Sequence, residues 1–314
     1  MEKENKLSIW AKQTRANFLL LAVLLVAIGV VLSYKHNLPG HSIHIYDIFL
    51  VAIGVILTHA SVNLFNEYSD FRTGIDQNTP KTPFSGGSNM LISGKTSPGS
   101  VLFAAIVTLS IAAIIGIYFS IKSNWVLLPV ILMGALTIVG YTNFLTKIGL
   151  GELFSGLMLG SFVVIGTFIA LTGSHNSSWS QLFPIEVVLI SIPPGILTSL
   201  LLFLNQFPDL EADSKGGRNH LVIRLGRKKA SVAYAIGVLL VFLIILLLPI
   251  VGISSYWIYL ALLPLPIVLK TIQTTFQYYE DTQKLIPALG GNVITVLATD
   301  FLLAGSLALS ICLN

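Results

Sequence analysis

The sequence predicts an all-α, polytopic membrane protein with about nine transmembrane helices. Of its 314 residues, 54% are hydrophobic and only 10% are charged, and the mean hydropathy is +0.83. Soluble domains carry about 25% charged residues, so a conventional solvated surface is excluded. Long apolar runs recur along the chain, each near the roughly 20 residues that cross a bilayer core of about 30 Å. The single cysteine excludes a disulfide framework and a CxxC metal site.

Nine apolar segments are long enough to be transmembrane helices. Their predicted positions are near 17–34, 47–65, 99–120, 125–143, 151–172, 185–204, 230–250, 256–276 and 287–312. No small-x-small cleavage motif follows the first segment and eight further segments do, so we interpret it as a retained helix and not as a signal peptide. We expect one transmembrane domain over residues 1–314.

The distribution of positive charge predicts the orientation. Sixteen of the 18 lysines and arginines fall in alternate loops on one side, whereas Lys35 and Lys122 fall on the other. The positive-inside rule then predicts a multi-pass plasma-membrane protein with a cytoplasmic N-terminus and with Asn314 outside. Because the net charge of +4 follows this membrane pattern, we expect no nucleic-acid partner.

Two polar segments, about 66–98 and 205–229, are predicted to be cytoplasmic loops. Each begins with Asn-x-x-x-Asp, as Asn66 to Asp70 and as Asn205 to Asp209, and the second adds Asp213 four residues later. Four predicted spans separate the two motifs, so both return to the same membrane face. This is a weak internal sequence similarity and does not establish a repeat.

The spacing of these residues predicts a metal and diphosphate site. Residues four apart share one helix face, and two carboxylate-bearing faces repel each other unless cations lie between them. Mg²⁺ suits such a cluster because it binds one or two carboxylates together with phosphate oxygens and water. Cationic side chains, which can neutralise a departing diphosphate, are close by in sequence: Arg72, Lys81, Lys147, Lys215, Arg218 and Arg224.

Three segments resemble motifs of the UbiA superfamily of intramembrane aromatic prenyltransferases. They are the run from Asn63 to Asp76, the run from Tyr141 to Glu152, and Asn205 to Asp213 followed by Leu221–Gly226. The spacing to Asp76 is most similar to the branch that prenylates 1,4-dihydroxy-2-naphthoate in menaquinone synthesis. The resemblance implies a helical bundle around a central cavity that opens sideways to lipid and is capped by the two loops.

The same resemblance implies a role for each candidate residue. The expected Mg²⁺ ligands are Asn66, Asp70, Asn205, Asp209 and Asp213. The expected diphosphate contacts are Arg72, Lys81, Lys147, Arg218 and Arg224. Asp76 and Tyr141 are the expected catalytic residues, Tyr141 as an aromatic wall for an allylic cation or, alternatively, as an interfacial tyrosine. The implied substrates are a polyprenyl diphosphate and an aromatic acceptor.

Several alternatives stay open at this point. Within the superfamily, the acceptor could be 4-hydroxybenzoate, haem, a chlorophyll-type ring or an ether lipid. From another class, a transporter would explain the spans, although transporters usually bind substrate near the bilayer midplane. Glu67 stands where many family members have aspartate, so its role is open. His59 and Asp300 fit either a functional or a buried structural role, and Gly86–Gly87 either approach phosphate or form a flexible connector.

Overall fold

Helices account for every regular element in residues 5–37 and 42–313, the part of the chain that the computed structural model describes. Lys3 and Asn314, which entered the orientation prediction, lie outside these ranges. In chain order the helices are α1 Lys6–Gln13, α2 Leu19–Lys35, α3 Ile45–Thr73, α4 Ile75–Asn78, α5 Pro98–Lys122, α6 Leu127–Gly140, α7 Thr146–Ile148, α8 Gly151–Gly156, α9 Phe162–Thr172, α10 Trp179–Leu182, α11 Ile185–Lys215, α12 Leu221–Ile250, α13 Leu265–Tyr278 and α14 Thr282–Cys312.

The membrane-spanning character predicted from the sequence is confirmed. Within the described ranges, eight helical segments are long and apolar enough to cross a membrane. The ninth predicted span, near 125–143, corresponds to the shorter helix α6 of 14 residues. A π-helical turn, Tyr141–Leu145, joins α6 directly to α7. At about 1.5 Å per residue, the continuous path from α6 to α7 is also long enough to cross a bilayer core.

Both Asn-x-x-x-Asp motifs lie inside continuous helices and not in loops. Helix α3 continues to Thr73 and α11 to Lys215, so the connecting segments shrink to 74–97 and 216–220. The polar residues therefore end the apolar stretch without ending the helix, because their side chains face a cavity between helices while the backbone hydrogen bonds continue. Gly74 ends α3 with φ 74°, in the left-handed region that favours glycine at helix C-termini.

Small residues let α11 approach the chain around α8 very closely. A Cβ atom on Gly156 would lie 2.7 Å from the carbonyl oxygen of Gly195, and one on Gly160 would lie 2.7 Å from the Gly195 Cα. Small residues four apart allow this kind of backbone contact between membrane helices. This contact sets the distance between α11, which carries Asn205, Asp209 and Asp213, and the chain that follows Tyr141.

Ion pairs occupy the opposite ends of the helices. Lys35 Nζ lies 2.6 Å from Glu186 Oε1, and Lys122 Nζ lies 2.5 Å from Asp47 Oδ1. Glu186 also meets His36 Nε2 at 2.8 Å. Because Lys35 and Lys122 end α2 and α5 beside the starts of α11 and α3, these pairs connect helices at the end of the bundle away from the two Asn-x-x-x-Asp motifs.

The close contact of α11 predicts a position-specific effect of adding one methyl group. Gly160→Ala should lower the free energy of unfolding of the detergent-purified protein by about 1–3 kcal/mol, because the new Cβ meets backbone that cannot move aside. Gly166→Ala is the matched control, since no atom lies within 4 Å of the added Cβ. Thermal unfolding of both variants checks this, and equal stability of the two would contradict it.

Candidate active site

The two acidic helix faces converge on one cavity, as the spacing predicted. Asn66 and Asp70 of α3 line it from one side, and Asn205, Asp209 and Asp213 of α11 line it from the other. Because consecutive members of each set are one helical turn apart, each helix presents a ladder of oxygen atoms. The sequence prediction that these five side chains lie together agrees with the structure.

Arg218 bridges the two ladders. Its Nη2 donates to Asp70 Oδ1 and, at 3.3 Å, to Asn66 Oδ1. Its Nη1 donates to Asp213 Oδ1 at 2.7 Å. Burial lowers the pKa of this guanidinium, but the carboxylates of Asp70 and Asp213 more than offset that effect, so the pKa lies above its usual range. Arg218 is therefore a permanent cation between α3 and α11.

His220 supports the same cluster and was not predicted from the sequence. This residue is only 1% exposed, and its Nε2 lies 3.0 Å from Asp213 Oδ2. Its Nδ1 accepts the Ile223 N–H at 3.4 Å at the start of α12, which assigns the proton of the neutral ring to Nε2. His220 thus donates to Asp213, and both oxygens of that carboxylate are occupied.

Three oxygens on α11 have no hydrogen-bond partner among the described residues. They are Oδ1 of Asp209, Oδ1 of Asn205 and Oε1 of Gln206, all buried and all in side chains that line the cavity. A buried unpaired oxygen costs free energy unless a ligand satisfies it. In residues 5–37 and 42–313, no three carboxylate, imidazole or thiol groups lie close enough to hold a metal by themselves, so amide, phosphate or water oxygens would have to complete any metal shell.

Asp76 enters the cavity from the 74–97 segment and packs against Gly87. A Cβ atom on Gly87 would lie 2.5 Å from both carboxylate oxygens of Asp76, and Gly87 has φ 72°. Only glycine therefore fits this position. Burial raises the pKa of Asp76, Glu67 raises it further, and Lys81 and Arg15 lower it. The predicted catalytic aspartate thus lies in the cavity lining, on the short helix α4 and against the loop at Gly87.

Tyr141 also lines the cavity. It begins the π-helical turn Tyr141–Leu145, and its side chain is 9% exposed. The next residue, Thr142, donates to Asn66 Oδ1 at 3.3 Å, which ties this turn to α3. A π-helical turn adds a residue to the helix and so re-aims the side chains that follow. Such turns are frequent at functional sites. This burial differs from the exposed position expected of a tyrosine at the membrane interface, and the role of Tyr141 as an aromatic wall stays a prediction.

Of the five cations predicted to contact a diphosphate, only Arg218 lines the cavity. Arg72 is exposed and donates to Tyr68 Oη at 3.1 Å. Lys147 is exposed, and Arg224 donates to the Asn219 carbonyl at 2.9 Å. Lys81 donates to the Asp76 carbonyl at 3.0 Å and to the Gly86 carbonyl, so it braces a loop in this structure.

Arg15 lines the cavity although the sequence indicated only a topology charge there. It is in the left-handed region with φ 52° and ψ 53°, which is uncommon for a residue with a side chain. Asn63 of α3 holds the preceding carbonyl, that of Thr14, at 2.8 Å. Trp10 of α1 packs near Leu64. These long-range contacts help to bring Arg15 to the site, and they leave no signal in the local sequence.

His59 and Asp300, whose roles the sequence left open, differ in position. His59 lines the cavity below Asn63, and its Nε2 has no partner among the described residues. Asp300 is fully buried in α14, and both of its carboxylate oxygens also lack a partner there. Asp300 is not among the residues that line the cavity.

Comparisons with known proteins agree with this architecture. Residues 22–288 match the UbiA prenyltransferase family. A 1,4-dihydroxy-2-naphthoate octaprenyltransferase of Bacillus subtilis (strain 168) is 29% identical over 314 residues, which cover 98% of this chain and 95% of that protein. The family resemblance drawn from the sequence motifs is thereby confirmed.

Solved structures show the same helical fold. A UbiA homolog from Aeropyrum pernix K1 aligns with a TM-score of 0.68 at 15% identity, covering 94% of this chain and 98% of that one. A UbiA homolog from Archaeoglobus fulgidus, solved with DMAPP and Mg²⁺, aligns with a TM-score of 0.55 at 13% identity, covering 94% and 99%. These likenesses confirm the predicted bundle of membrane helices.

The position of Arg218 predicts a large cost for its removal. Arg218→Gln should lower the free energy of unfolding by about 3–5 kcal/mol, because Asp70 and Asp213 would stay buried without their countercharge. Thermal unfolding in detergent measures this loss. Lys284→Gln is the control, since Lys284 pairs with Asp281 at 3.2 Å on the surface and exposed pairs contribute little. Similar melting temperatures for the two variants would refute the bridging role.

Proposed function

The chain belongs to the UbiA prenyltransferase family, and we propose that it transfers a polyprenyl chain from its diphosphate to 1,4-dihydroxy-2-naphthoate. The proposed use of a diphosphate donor is supported by one observation, the convergence of two acidic helix faces on one cavity around Arg218. The acceptor part is supported by the relative from B. subtilis, whose similarity extends over nearly the whole chain.

The charge of the cavity supports a requirement for Mg²⁺. Four aspartates and two arginines line it, so with neutral histidines its formal charge is −2 when all of them are ionised. A diphosphate anion is repelled by such a cavity unless cations accompany it. The unpaired Oδ1 atoms of Asp209 and Asn205 are hard oxygen donors that suit Mg²⁺. Asn66, Asp70, Asn205, Asp209 and Asp213 would hold the ion, which when bound supplies positive charge to the departing diphosphate.

The polarity of the cavity also fits an amphiphilic donor. Beyond the oxygen ladders its lining turns apolar, with Phe18, Leu21, Leu159, Leu201 and Leu202. Leu201 and Leu202 precede Asn205 by about one helical turn, toward the middle of α11. A prenyl tail can lie along this apolar part while the diphosphate meets Arg218 and Arg15. The cationic side chains then stabilise the leaving group without any rearrangement of their helices.

The proposed reaction breaks the bond between the first prenyl carbon and the diphosphate oxygen. The resulting allylic cation is stabilised by a nearby aromatic face, for which the buried ring of Tyr141 is our candidate, at about 0.5–2 kcal/mol. The electron-rich acceptor ring then attacks this carbon. With dihydroxynaphthoate, the new carbon–carbon bond replaces the carboxyl group, which leaves as carbon dioxide. Asp76 stays a predicted catalytic residue beside Gly87.

We also propose that the cavity opens toward the cytoplasm. Sixteen of the 18 lysines and arginines belong to the side that carries the motifs, which the positive-inside rule assigns to the cytoplasm. Mg²⁺ and a water-soluble acceptor would then reach the oxygen ladders from the cytoplasm, while the prenyl donor arrives through the membrane.

The proposed function predicts that the protein forms a prenylated naphthoquinol. Purified protein with Mg²⁺ and geranylgeranyl diphosphate should prenylate 1,4-dihydroxy-2-naphthoate but not 4-hydroxybenzoate, and EDTA should abolish the product. Mass spectrometry of the lipid extract measures both products. Transfer to 4-hydroxybenzoate instead would reject the proposed acceptor, and transfer that EDTA leaves unchanged would reject the metal.

Matched aspartate variants control this assay. Asp209→Asn should reduce transfer by more than the roughly 10- to 100-fold that is typical of groups beyond the metal ligands. Its thermal stability should be kept, because Asp209 Oδ1 has no partner among the described residues. Asp281→Asn, at an exposed helix cap, should transfer at the wild-type rate.

The proposed orientation in the membrane can be tested with the one cysteine of the sequence. Cys312 is exposed at the end of α14, so a membrane-impermeant maleimide should label it in intact cells if that end is outside. Cys312→Ser should abolish the labelling. Lys229→Cys in the Cys312→Ser background should be labelled only after the cells are opened, and the reverse pattern would reject the proposed orientation.

A further inference from the structure

Glu67 lies on α3 next to Asn66 but points to a different place. Successive helix residues are about 100° apart around the axis, so Glu67 leaves the face that Asn66 and Asp70 share. Its side chain is 1% exposed, and it is not among the residues that line the cavity. A buried carboxylate needs hydrogen-bond donors, and those donors identify its function.

Both oxygens of Glu67 are bound by one residue of the 74–97 segment. Oε2 accepts the backbone N–H of Ser88 at 3.0 Å, and Oε1 accepts the Ser88 hydroxyl. The same hydroxyl oxygen accepts the Met90 N–H at 3.1 Å. The carboxylate therefore fixes the direction of the chain where it leaves the cavity wall.

The residues just before Ser88 form part of that wall. Ser85, Gly86 and Gly87 line the cavity, and Gly86 and Gly87 have φ 87° and 72°. Gly87 packs on the Asp76 carboxylate so closely that even a methyl group would not fit between them. A shift of Ser88 would therefore move Gly87 and release Asp76.

Lys81 holds the other end of the same stretch. Its Nζ donates to the carbonyls of Asp76 and Gly86. The wall is thus fixed on two sides, by Lys81 before it and by Glu67 after it. Of these two anchors, only Glu67 belongs to a helix that also carries cavity residues, so it connects the wall to α3.

We propose that Glu67 is a positioning residue that binds Ser88. It thereby holds the Ser85–Gly87 wall and Asp76 against the oxygen ladders of α3 and α11. This role rests on the proposed prenyl transfer for its effect on turnover, but the Glu67–Ser88 contact itself does not depend on the reaction. Glu67 acts through Ser88 and not through a bound metal.

Hydrogen exchange of the wall, measured on the full-length protein in detergent, tests the contact without any substrate. Glu67→Ala and Ser88→Ala should both raise exchange of the amides from Gly86 to Met90. Glu67→Gln should restore part of the protection, because its amide can accept the Ser88 N–H and donate to the Ser88 oxygen. Glu211→Ala is the control, since Glu211 pairs with Arg227 on an exposed surface. Unchanged exchange in Glu67→Ala would overturn the proposal.

Kinetics then test the positioning role. Glu67→Ala should raise KM for the prenyl diphosphate about tenfold, as expected for losing a hydrogen bond to a charged group, and Glu67→Gln should raise it less. Because both residues act through one contact, Glu67→Ala with Ser88→Ala should be no worse than Glu67→Ala alone.

Two outcomes separate this proposal from the alternatives. If Glu67→Gln raises the Mg²⁺ concentration needed for activity and Ser88→Ala does not, Glu67 binds the metal and the positioning role is overturned. If the exchange pattern is as expected but the wild-type protein transfers no prenyl group to any acceptor, the contact stands and the proposed function fails.

Discussion

The bridge that Arg218 forms between Asp70 and Asp213 is the interaction on which the site depends. Two buried carboxylates on neighbouring helices repel each other, and the repulsion grows as the effective dielectric constant falls. Arg218 offsets it with charged hydrogen bonds to both acids. The arginine follows α11 after the short turn at Gly216–Gly217, and His220, two residues later, caps the start of α12. The Arg218 side chain therefore links α3 to α11, and the residues around it connect both helices to α12.

The helices can hold these charges in place because their backbones pack in direct contact elsewhere. Gly156, Gly160 and Gly195 bring backbones into contact, so a displacement of α11 would create clashes and not a small adjustment. Two π-helical turns, Tyr141–Leu145 and Leu157–Ser161, occur where the chain passes the cavity. Each turn places one of its residues, Tyr141 and Leu159, in the cavity lining. Tight packing and local irregularity thus act together to shape one cavity.

The sequence predicted the parts of the site that follow from helical spacing. Asn66 with Asp70 and Asn205 with Asp209 share a face because they are four residues apart, whatever the rest of the fold does. The same geometry explains Arg72, which lies two residues after Asp70 and therefore about 200° around the helix, away from the cavity. Arg15 could not be recognised, because contacts between segments far apart in sequence bring it to the cavity. His220 is only seven residues from Asp213, but their contact depends on the path of the chain between α11 and α12, which the helical spacing does not predict. The same limit applies to Glu67, whose partner Ser88 is 21 residues away.

The structure distinguishes the acidic residues by two conditions, access to the cavity and an oxygen left without a partner. Glu67 has neither, because Ser88 occupies both of its oxygens outside the cavity lining. Asp300 has unpaired oxygens but no access, whereas Asp213 has access but is fully engaged by Arg218 and His220. Among the described residues, Asp209 meets both conditions. A cation entering the cavity can be coordinated by Asp209 without first displacing a hydrogen bond at Oδ1.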